Sequence, residues 1–393
     1  MLAIAFLVQD HLSVPQADDP HFLALASARP FDEILRFGVN KERLYIAWLR
    51  ALVLVLEGHA TVEFANAAIL AVASALLFLN WLKRLRISTL PAIGAALLLG
   101  GGFLSLGVWP RNGMFGFVVY LAFAVPALAQ STPGRRFGVI VLGCVAASLA
   151  RPEYALGLPI AVGLGLAMIA SRRSGWRDLG FLGAAVGLSA LTAVTVGLPF
   201  FSNADRAQFA LSQHFALNWT SWHEPIAVNP WIEHERVWAE QFGGATGLLS
   251  ALGNNPGAMA LHLAHNTVRA VPLVLLTSVS PVRTDLVPAP VDLADWLPLL
   301  PILLLVLWAA RRGARAASPE RLRGAYTALS IWIPAILPTL AETVILYPRY
   351  HYLFAMNAAW LTLLALLLSR ESGGRCSPRI HRPSSSRASE PVA

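Results

Sequence analysis

The stretch FANAAILAVASALLFLNWL, residues 64–82, decides the class of this fold because it contains no charged residue and no histidine. A helix of this length rises roughly 28 Å, which is close to the thickness of the hydrocarbon core of a bilayer. Lys83 and Arg84 follow it directly, as basic residues do at the cytoplasmic end of a membrane span. The segment therefore predicts a transmembrane helix that ends in a basic connector.

Eight further stretches also lack Asp, Glu, Lys, Arg and His, and they cover residues 90–108, 113–130, 137–150, 154–171, 179–200, 296–310, 325–341 and 352–368. Hydrophobic residues make up 56% of the chain and charged residues 13%, which excludes an ordinary soluble domain. Met1 to Val8 is also apolar, but it is far shorter than the roughly 20 residues that a span requires. We therefore predict an all-α, polytopic membrane bundle of about 9–10 transmembrane helices over residues 1–369, with the first helix truncated.

The connectors between these runs differ in charge on the two sides of the implied membrane. When connectors are assigned alternately, one side receives 18 of the 30 Lys and Arg residues but only 4 of the 22 Asp and Glu residues. Basic connectors stay in the cytoplasm, so this side is predicted to be cytoplasmic. The tail over residues 370–393 lies on the same side, and its Ser, Arg and Pro content predicts disorder. The same asymmetry accounts for the net charge of +8, so we expect no nucleic-acid partner.

The opposite, outer side is predicted to carry two large loops, at about residues 9–61 and 201–295, together with 9 of the 10 histidines. In the first loop, residues 44–56 form a short apolar segment that is typical of an interfacial helix. In the second loop, residues 258–280 are predicted to lie on the outer surface. Their polar side chains recur every three or four positions, so we expect one helical face that meets water or a cavity, formed by His262, His265, Asn266 and Arg269.

An acidic pair, Asp18-Asp19, lies in the first outer loop and is followed by Pro20, His21 and Phe22. Asp19 immediately before Pro20 is typical of a helix start, and this interpretation stands beside a chemical one. Asp18 is not needed for such a cap. Its carboxylate is therefore free to accept a proton from a substrate hydroxyl.

Two short outer turns place arginines next to the membrane. The run 137–150 has only 14 residues, which would leave Arg151 and Glu153 below the outer membrane plane. Ionisable residues at that depth face a cavity and a partner, and Arg151 has Glu153 as the nearest one. The second turn contains Pro348, Arg349 and Tyr350. An arginine here is either an interfacial anchor or a ligand for an anion.

Taken together, these motifs resemble those of the GT-C-type membrane glycosyltransferases, the superfamily that includes protein mannosyltransferases and lipid A aminoarabinose transferases. In that family an acidic pair follows the first transmembrane helix in an outer loop with interfacial helices, as Asp18-Asp19 and residues 44–56 do here. An Arg-Pro-Glu-like outer turn corresponds to Arg151-Pro152-Glu153-Tyr154, and a Pro-Arg-Tyr turn before the last helix corresponds to Pro348-Arg349-Tyr350. The resemblance covers about residues 10–370. Three departures are the nearly missing first helix, Pro20 after the acidic pair, and Phe22 where a tyrosine is frequent.

The resemblance implies an active site at the outer face that uses a polyprenyl-phosphate-linked sugar and an acceptor lipid, glycan or protein. It assigns the catalytic positions to Asp18, as the base, and Asp19. Arg349 is expected to bind the leaving phosphate, with Arg151 and Arg269 behind it. The remaining expected substrate-binding residues are Tyr350, Glu153 and His21.

The long outer loop is rich in tryptophan, which indicates either sugar stacking or an interfacial belt, and its tryptophans are Trp219, Trp222, Trp231 and Trp238. His223-Glu224 and Glu233-His234-Glu235 contain no histidine pair at helical i, i+4 spacing. We therefore predict no cofactor, and a divalent metal ion stays an alternative.

The predicted function is transfer of a sugar from a polyprenyl-phosphate donor to an acceptor hydroxyl, at the periplasmic face of a bacterial inner membrane. A ligase or polymerase of lipid-linked glycans is one alternative, because it shares the substrates and the setting. A lipid or solute transporter is another, although the nine runs contain none of the ionisable groups expected of ion coupling. A purely structural membrane protein is the last.

Overall fold

The structure is a computed structural model, and it describes residues 19–35, 42–105, 111–171, 175–196, 204–223, 229–277, 304, 311, 319–348 and 353–369. Within these ranges the fold is entirely helical. The helices are α1 Asp19–Ala28, α2 Phe31–Leu35, α3 Arg43–Val53, α4 His59–Arg84, α5 Thr89–Ser105, α6 Asn112–Leu128, α7 Pro133–Ser148, a 3-10 helix Pro152–Leu156, α8 Gly157–Ser171, α9 Trp176–Thr195, α10 Ala204–Trp222, α11 His234–Phe242, α12 Leu248–Asn254, α13 Pro256–Thr277, α14 Pro319–Ile345 and α15 Phe354–Leu368.

Four of the helical segments are long and apolar enough to cross a membrane, and they are His59–Arg84, Pro152–Ser171, Trp176–Thr195 and Leu322–Ile345. Three shorter apolar helices accompany them, at Thr89–Gly101, Asn112–Leu128 and Phe354–Leu368. The prediction of an all-α membrane bundle is confirmed, and eight of the nine predicted runs coincide with helices. Most of the run 296–310, the apolar segment Met1 to Val8 and the tail 370–393 lie outside the described residues.

Consecutive helices of the bundle run in alternating directions, as contacts between their ends show. At one end Ser88 N–H, before α5, donates to Ser369 Oγ, after α15, at 2.9 Å. At the other end the Arg111 side chain, before α6, donates from Nη1 to the carbonyl oxygen of Glu63 in α4 at 2.9 Å. We call the first the basic end, because its connectors include Lys83, Arg84, Arg86, Arg135, Arg136 and Arg177. We call the second the acidic end, because it includes Glu57, Glu63, Glu153 and Glu342.

Aromatic side chains fill the centre of the bundle. The Trp81 and Trp332 rings lie 5.1 Å apart, and the Phe117 ring stacks on Trp332 at 6.1 Å. Trp81 also donates from Nε1 to Thr362 Oγ1 at 3.2 Å, which satisfies its polar group inside the core. These contacts join α4, α6, α14 and α15 into one packed unit.

The helices α10 to α13 form a second, smaller unit, which we call the cap. Its hydrophobic core is centred on Phe215, whose ring lies 4.7 Å from the Phe242 ring and 5.9 Å from the Trp238 ring. Ile345 and Leu346, at the end of α14, pack against the same core. The cap is therefore attached to the acidic end of the bundle.

Close packing of α8 on α14 depends on Gly157. A Cβ atom at this position would meet the backbone carbonyl oxygen of Pro334, and that atom cannot rotate away. Gly163, in the same helix, has open space where its Cβ would be placed. The two positions therefore carry the same residue type in the same helix, but only Gly157 is closely packed against a neighbouring helix.

We expect Gly157→Ala to lower the free energy of unfolding by about 1–3 kcal/mol, because an added methyl group would push α8 away from α14. Gly163→Ala is the matched control, and alanine's better helix propensity should leave stability unchanged or slightly raised. Thermal unfolding in detergent micelles, followed by tryptophan fluorescence, measures both variants. Equal stability of the two variants would contradict this account of the α8–α14 contact.

Candidate functional site

The strongest cluster of charges in the described chain lies at the acidic end, around Arg151. Its Nε donates to Glu153 Oε1 at 2.5 Å, and its Nη2 donates to Glu342 Oε1 at 3.3 Å. Nη1 lies 3.5 Å from Asn112 Oδ1. The three charged side chains are only 11–14% exposed. Charges this deeply buried are stabilised only when paired, so Arg151 holds three elements of the bundle in fixed positions.

Local sequence explains how Arg151 reaches this position. The helix α7 ends at Ser148, and the amide of Arg151 donates to the carbonyl oxygen of Ala147 at 2.8 Å in a final turn. Pro152 then starts a new helix, because a proline is tolerated at the first helical position. Gly116 of α6 lets the arginine stem approach, since an added Cβ would lie 3.0 Å from Arg151 Cγ.

Arg151 and Glu153 are buried and face a partner, as predicted. Their position below the outer membrane plane stays a prediction. Glu342 is the third member, and sequence analysis missed it. The available signal was its position directly after the apolar run 325–341, as the sole charged residue between Arg323 and Arg349. Nothing in the sequence says that it pairs with a residue 191 positions earlier.

The residues after the acidic pair are helical, because α1 covers Asp19–Ala28. The predicted helix start at Asp19 stays a prediction, since Asp18 lies outside the described residues. The Phe22 ring contacts Tyr45 of α3 edge to face at 5.7 Å, and Tyr45 in turn lies 5.6 Å from Phe115 of α6. Arg50 donates to the carbonyl oxygens of Ala26 and Ser27, which end α1. The helix that follows the acidic pair is thus packed at the acidic end of the bundle.

Several predicted site residues are not among those described. Asp18, Arg349, Tyr350 and the side chain of Asp19 lie outside the described residues. His21 is described and exposed, with its ring 6.0 Å from that of Phe22. The segment 44–56 forms the predicted short helix, and α3 buries Tyr45, Ile46 and Leu49 against its neighbours.

A buried polar network attaches the cap to α14. Asn218 Nδ2, in α10, lies 2.9 Å from His262 Nδ1 and 2.7 Å from Asn266 Oδ1. Asn266 Nδ2 donates to the carbonyl oxygens of Val344 and Leu346, and His262 Nε2 lies 2.9 Å from that of Ile345. The prediction that His262 and Asn266 face water or a cavity is therefore wrong, because both side chains are fully buried. Their polar face bonds instead to carbonyl groups that α14 leaves without amide partners.

Arg269 and His265 lie beside this network on the same helix. The Arg269 guanidinium lies 5.2 Å from the centre of the Tyr347 ring, two residues before Arg349 in the chain. The His214 ring of α10 also stacks on the Tyr347 ring, at 6.0 Å between the ring centres. Burial, and next the charge of Arg269, lower the pKa of His265, so its imidazole is neutral at physiological pH.

The tryptophans of the second outer loop have different environments. Trp238 is buried, and its Nε1 donates to the carbonyl oxygen of Ala245 at 2.8 Å, so it belongs to the core of the cap. Trp231 is 37% exposed, and Trp219 stacks on His223 at 4.5 Å. Within the described ranges, no three His, Cys, Asp or Glu residues are grouped so that they could hold a metal ion.

Comparison with known protein families, with curated proteins and with solved structures yields no match to this chain. The resemblance to membrane glycosyltransferases therefore rests on its short motifs alone. What the fold itself establishes is a helical protein with four candidate membrane spans, a buried charge cluster and a polar network at one end.

Removing the Arg151 guanidinium should destabilise the bundle strongly, because two buried carboxylates would then lose their partner. We expect Arg151→Gln to lower the free energy of unfolding by about 3–5 kcal/mol. The matched control is Arg236→Gln in α11, since Arg236 also lies between two glutamates, Glu233 and Glu240, but is 55% exposed. That variant should lose less than about 1 kcal/mol. Thermal unfolding in micelles compares them, and similar losses would refute a stabilising role for burial of the Arg151 cluster.

The buried histidine predicts a pH dependence of the cap. Burial lowers the pKa of His262 from its ordinary 6.5 to about 4, so between these values the unfolded chain takes up a proton that the folded protein does not. Stability conferred by the neutral imidazole is complete above about pH 6.5 and is lost as the pH falls towards 4, by about 3 kcal/mol in all.

Hydrogen exchange of the cap helices at pH 7 and pH 5 measures this loss. His262→Gln should remove this part of the pH dependence, whereas His223→Gln, at an exposed histidine of the cap, should retain it. An unchanged pH profile in His262→Gln would show that other groups are responsible.

Proposed function

We propose that this protein is a membrane glycosyltransferase that transfers a sugar from a polyprenyl-phosphate donor to an acceptor hydroxyl. The reaction would take place at the acidic end of the bundle, which we assign to the periplasmic side of a bacterial inner membrane. The acceptor is a lipid, a glycan or a protein. The observation that carries the proposal is the packing of α1, which follows Asp18 directly in the chain, on the same end of the bundle as the buried Arg151 cluster.

The chemistry requires a base and a cation near one sugar. As the acceptor oxygen attacks the anomeric carbon, its proton passes to the Asp18 carboxylate, and the bond from that carbon to the phosphate oxygen breaks. The electron pair leaves with the polyprenyl phosphate, whose negative charge requires stabilisation by a cation. Asp19, as the first residue of α1, would position its neighbour at the start of a helix that is anchored by Phe22 and by Arg50.

The three arginines that are expected to bind the phosphate differ in how well the structure supports that role. Arg151 is engaged by Glu153 and Glu342, so its role in the proposal changes to positioning the acidic end. Arg269 forms no ion pair with a described carboxylate and remains available to an anion. Arg349 and Tyr350 follow Tyr347, the residue over which Arg269 lies. Glu153 and His21 would line the acceptor side.

The test is a transfer assay with the full-length protein in membranes, using undecaprenyl phosphate that carries radiolabelled mannose, glucose or galactose in turn. We expect Asp18→Asn to reduce transfer by about 100-fold or more, because an amide cannot accept the proton. Glu33→Gln, at an exposed acid of α2, is the matched control and should retain full transfer.

The outcomes separate the alternatives. Transfer that survives Asp18→Asn in a folded protein would favour a ligase or polymerase of lipid-linked glycans. Transbilayer movement of the labelled lipid without any sugar transfer would favour a transporter. Absence of transfer by the unaltered protein with all three donors would contradict the proposal.

A further inference from the structure

Two hydrogen-bond donors on α13 lack acceptors in the described part of the chain. His265 Nε2 and Arg269 Nη1 are both inaccessible to solvent, and neither has a hydrogen-bond partner there. A buried donor without an acceptor costs about 1–3 kcal/mol, and more when it is charged, so native proteins seldom retain one. Both residues are partly exposed as a whole, so other atoms of the two side chains lie at the protein surface beside these donors.

The hydrogen bond from Trp222 determines what His265 offers. Trp222 Nε1 carries a hydrogen and lies 3.4 Å from His265 Nδ1, so Nδ1 is the acceptor. The proton of the neutral ring is then on Nε2, which makes this atom a donor. His265 and Arg269 are four residues apart, so they lie one above the other on the same side of the helix. The pair offers a neutral donor and a cationic donor, with no described acid beside them.

The position of this pair on α13 suggests where its ligand comes from. The polar residues His262 and Asn266 face inward and are fully buried, whereas Leu261, Val268 and Val271 are 50–53% exposed. Large apolar side chains exposed along one strip of a helix provide a surface suited to contact with lipid chains. His265 and Arg269 lie on the border between these two faces.

We propose that His265 and Arg269 form a binding site for the phosphate group of a membrane lipid. A phosphate supplies several acceptor oxygens, and a guanidinium binds them with charge-assisted hydrogen bonds. The exposed leucine and valines provide an apolar surface for the attached chains. Arg269 is held in place by its contact with the Tyr347 ring, which a bound anion leaves intact.

This inference rests on the proposed function only for the identity of the natural lipid, since the site would bind a lipid phosphate whether or not sugar is transferred. The test therefore uses no sugar donor. Full-length protein in alkyl maltoside micelles is titrated with phosphatidic acid, with diacylglycerol of the same chains, and with inorganic phosphate, and bound species are counted by native mass spectrometry.

Phosphatidic acid should bind at least about tenfold more tightly than diacylglycerol, because only it carries the anion. Arg269→Gln should weaken phosphatidic acid about ten- to a hundredfold, and His265→Phe should weaken it by a smaller factor. His265→Gln restores a donor and should recover part of the loss. The charge-matched control is Arg236→Gln, at the exposed arginine of α11, which should leave binding unchanged.

Inorganic phosphate that binds as tightly as phosphatidic acid, and equally depends on Arg269, would retain the phosphate site but overturn its lipid source. Equal binding of phosphatidic acid to the unaltered protein and to both Arg269→Gln and His265→Phe would overturn the site itself. If Arg269→Gln fails to fold, the His265→Phe variant still tests the site, because replacing a neutral imidazole by a phenyl ring removes no charge.

Discussion

The last carbonyl groups of α14 have no amide partners within the helix, and a polar group left unpaired in an apolar setting costs several kcal/mol. In this protein the partners come from another helix. Asn266 and His262 of α13 bond to the carbonyl oxygens of Val344, Ile345 and Leu346, and Asn218 of α10 fixes both side chains in turn. The attachment of the cap to the bundle follows from this requirement.

The same end of α14 also meets the charge cluster. Glu342 accepts a hydrogen bond from Arg151. Arg151 also pairs with Glu153, two residues later in the chain, and contacts Asn112 of α6. The end of α14 is thus held twice. Its backbone carbonyl groups bond to the cap, and its Glu342 side chain pairs with Arg151 in the bundle. The bundle and the cap share α14 as their common support.

The sequence was most informative where membrane burial imposes a simple rule. The stretches free of charge in the described residues form helices. The short run before Arg151 and Glu153 predicted that these charges are buried, and buried charges require a partner. The orientation of α13 was harder to predict. Its polar face was identified correctly, but a periodic pattern says only that a face is polar, not what it meets. The partners of His262 and Asn266 are carbonyl groups more than 70 positions away, and carbonyl groups are the same in every sequence.

The candidate site shows the same division. A helix directly after the acidic pair could be inferred from Pro20, since local rules govern helix ends. Glu342 could not be assigned to Arg151, because that pairing depends on how α14 packs against the turn after α7. The donor pair His265 and Arg269 required knowledge of which acceptors were absent from their surroundings.

Two prolines, Pro334 and Pro338, lie within α14 below its final turns. Each removes an amide from the helical ladder, so the helix is least resistant to bending there. The segment beyond them carries both Glu342 and the carbonyl groups that bind the cap. We therefore expect this segment to move together with the cap, so that a tilt of the cap would shift Glu342 relative to Arg151.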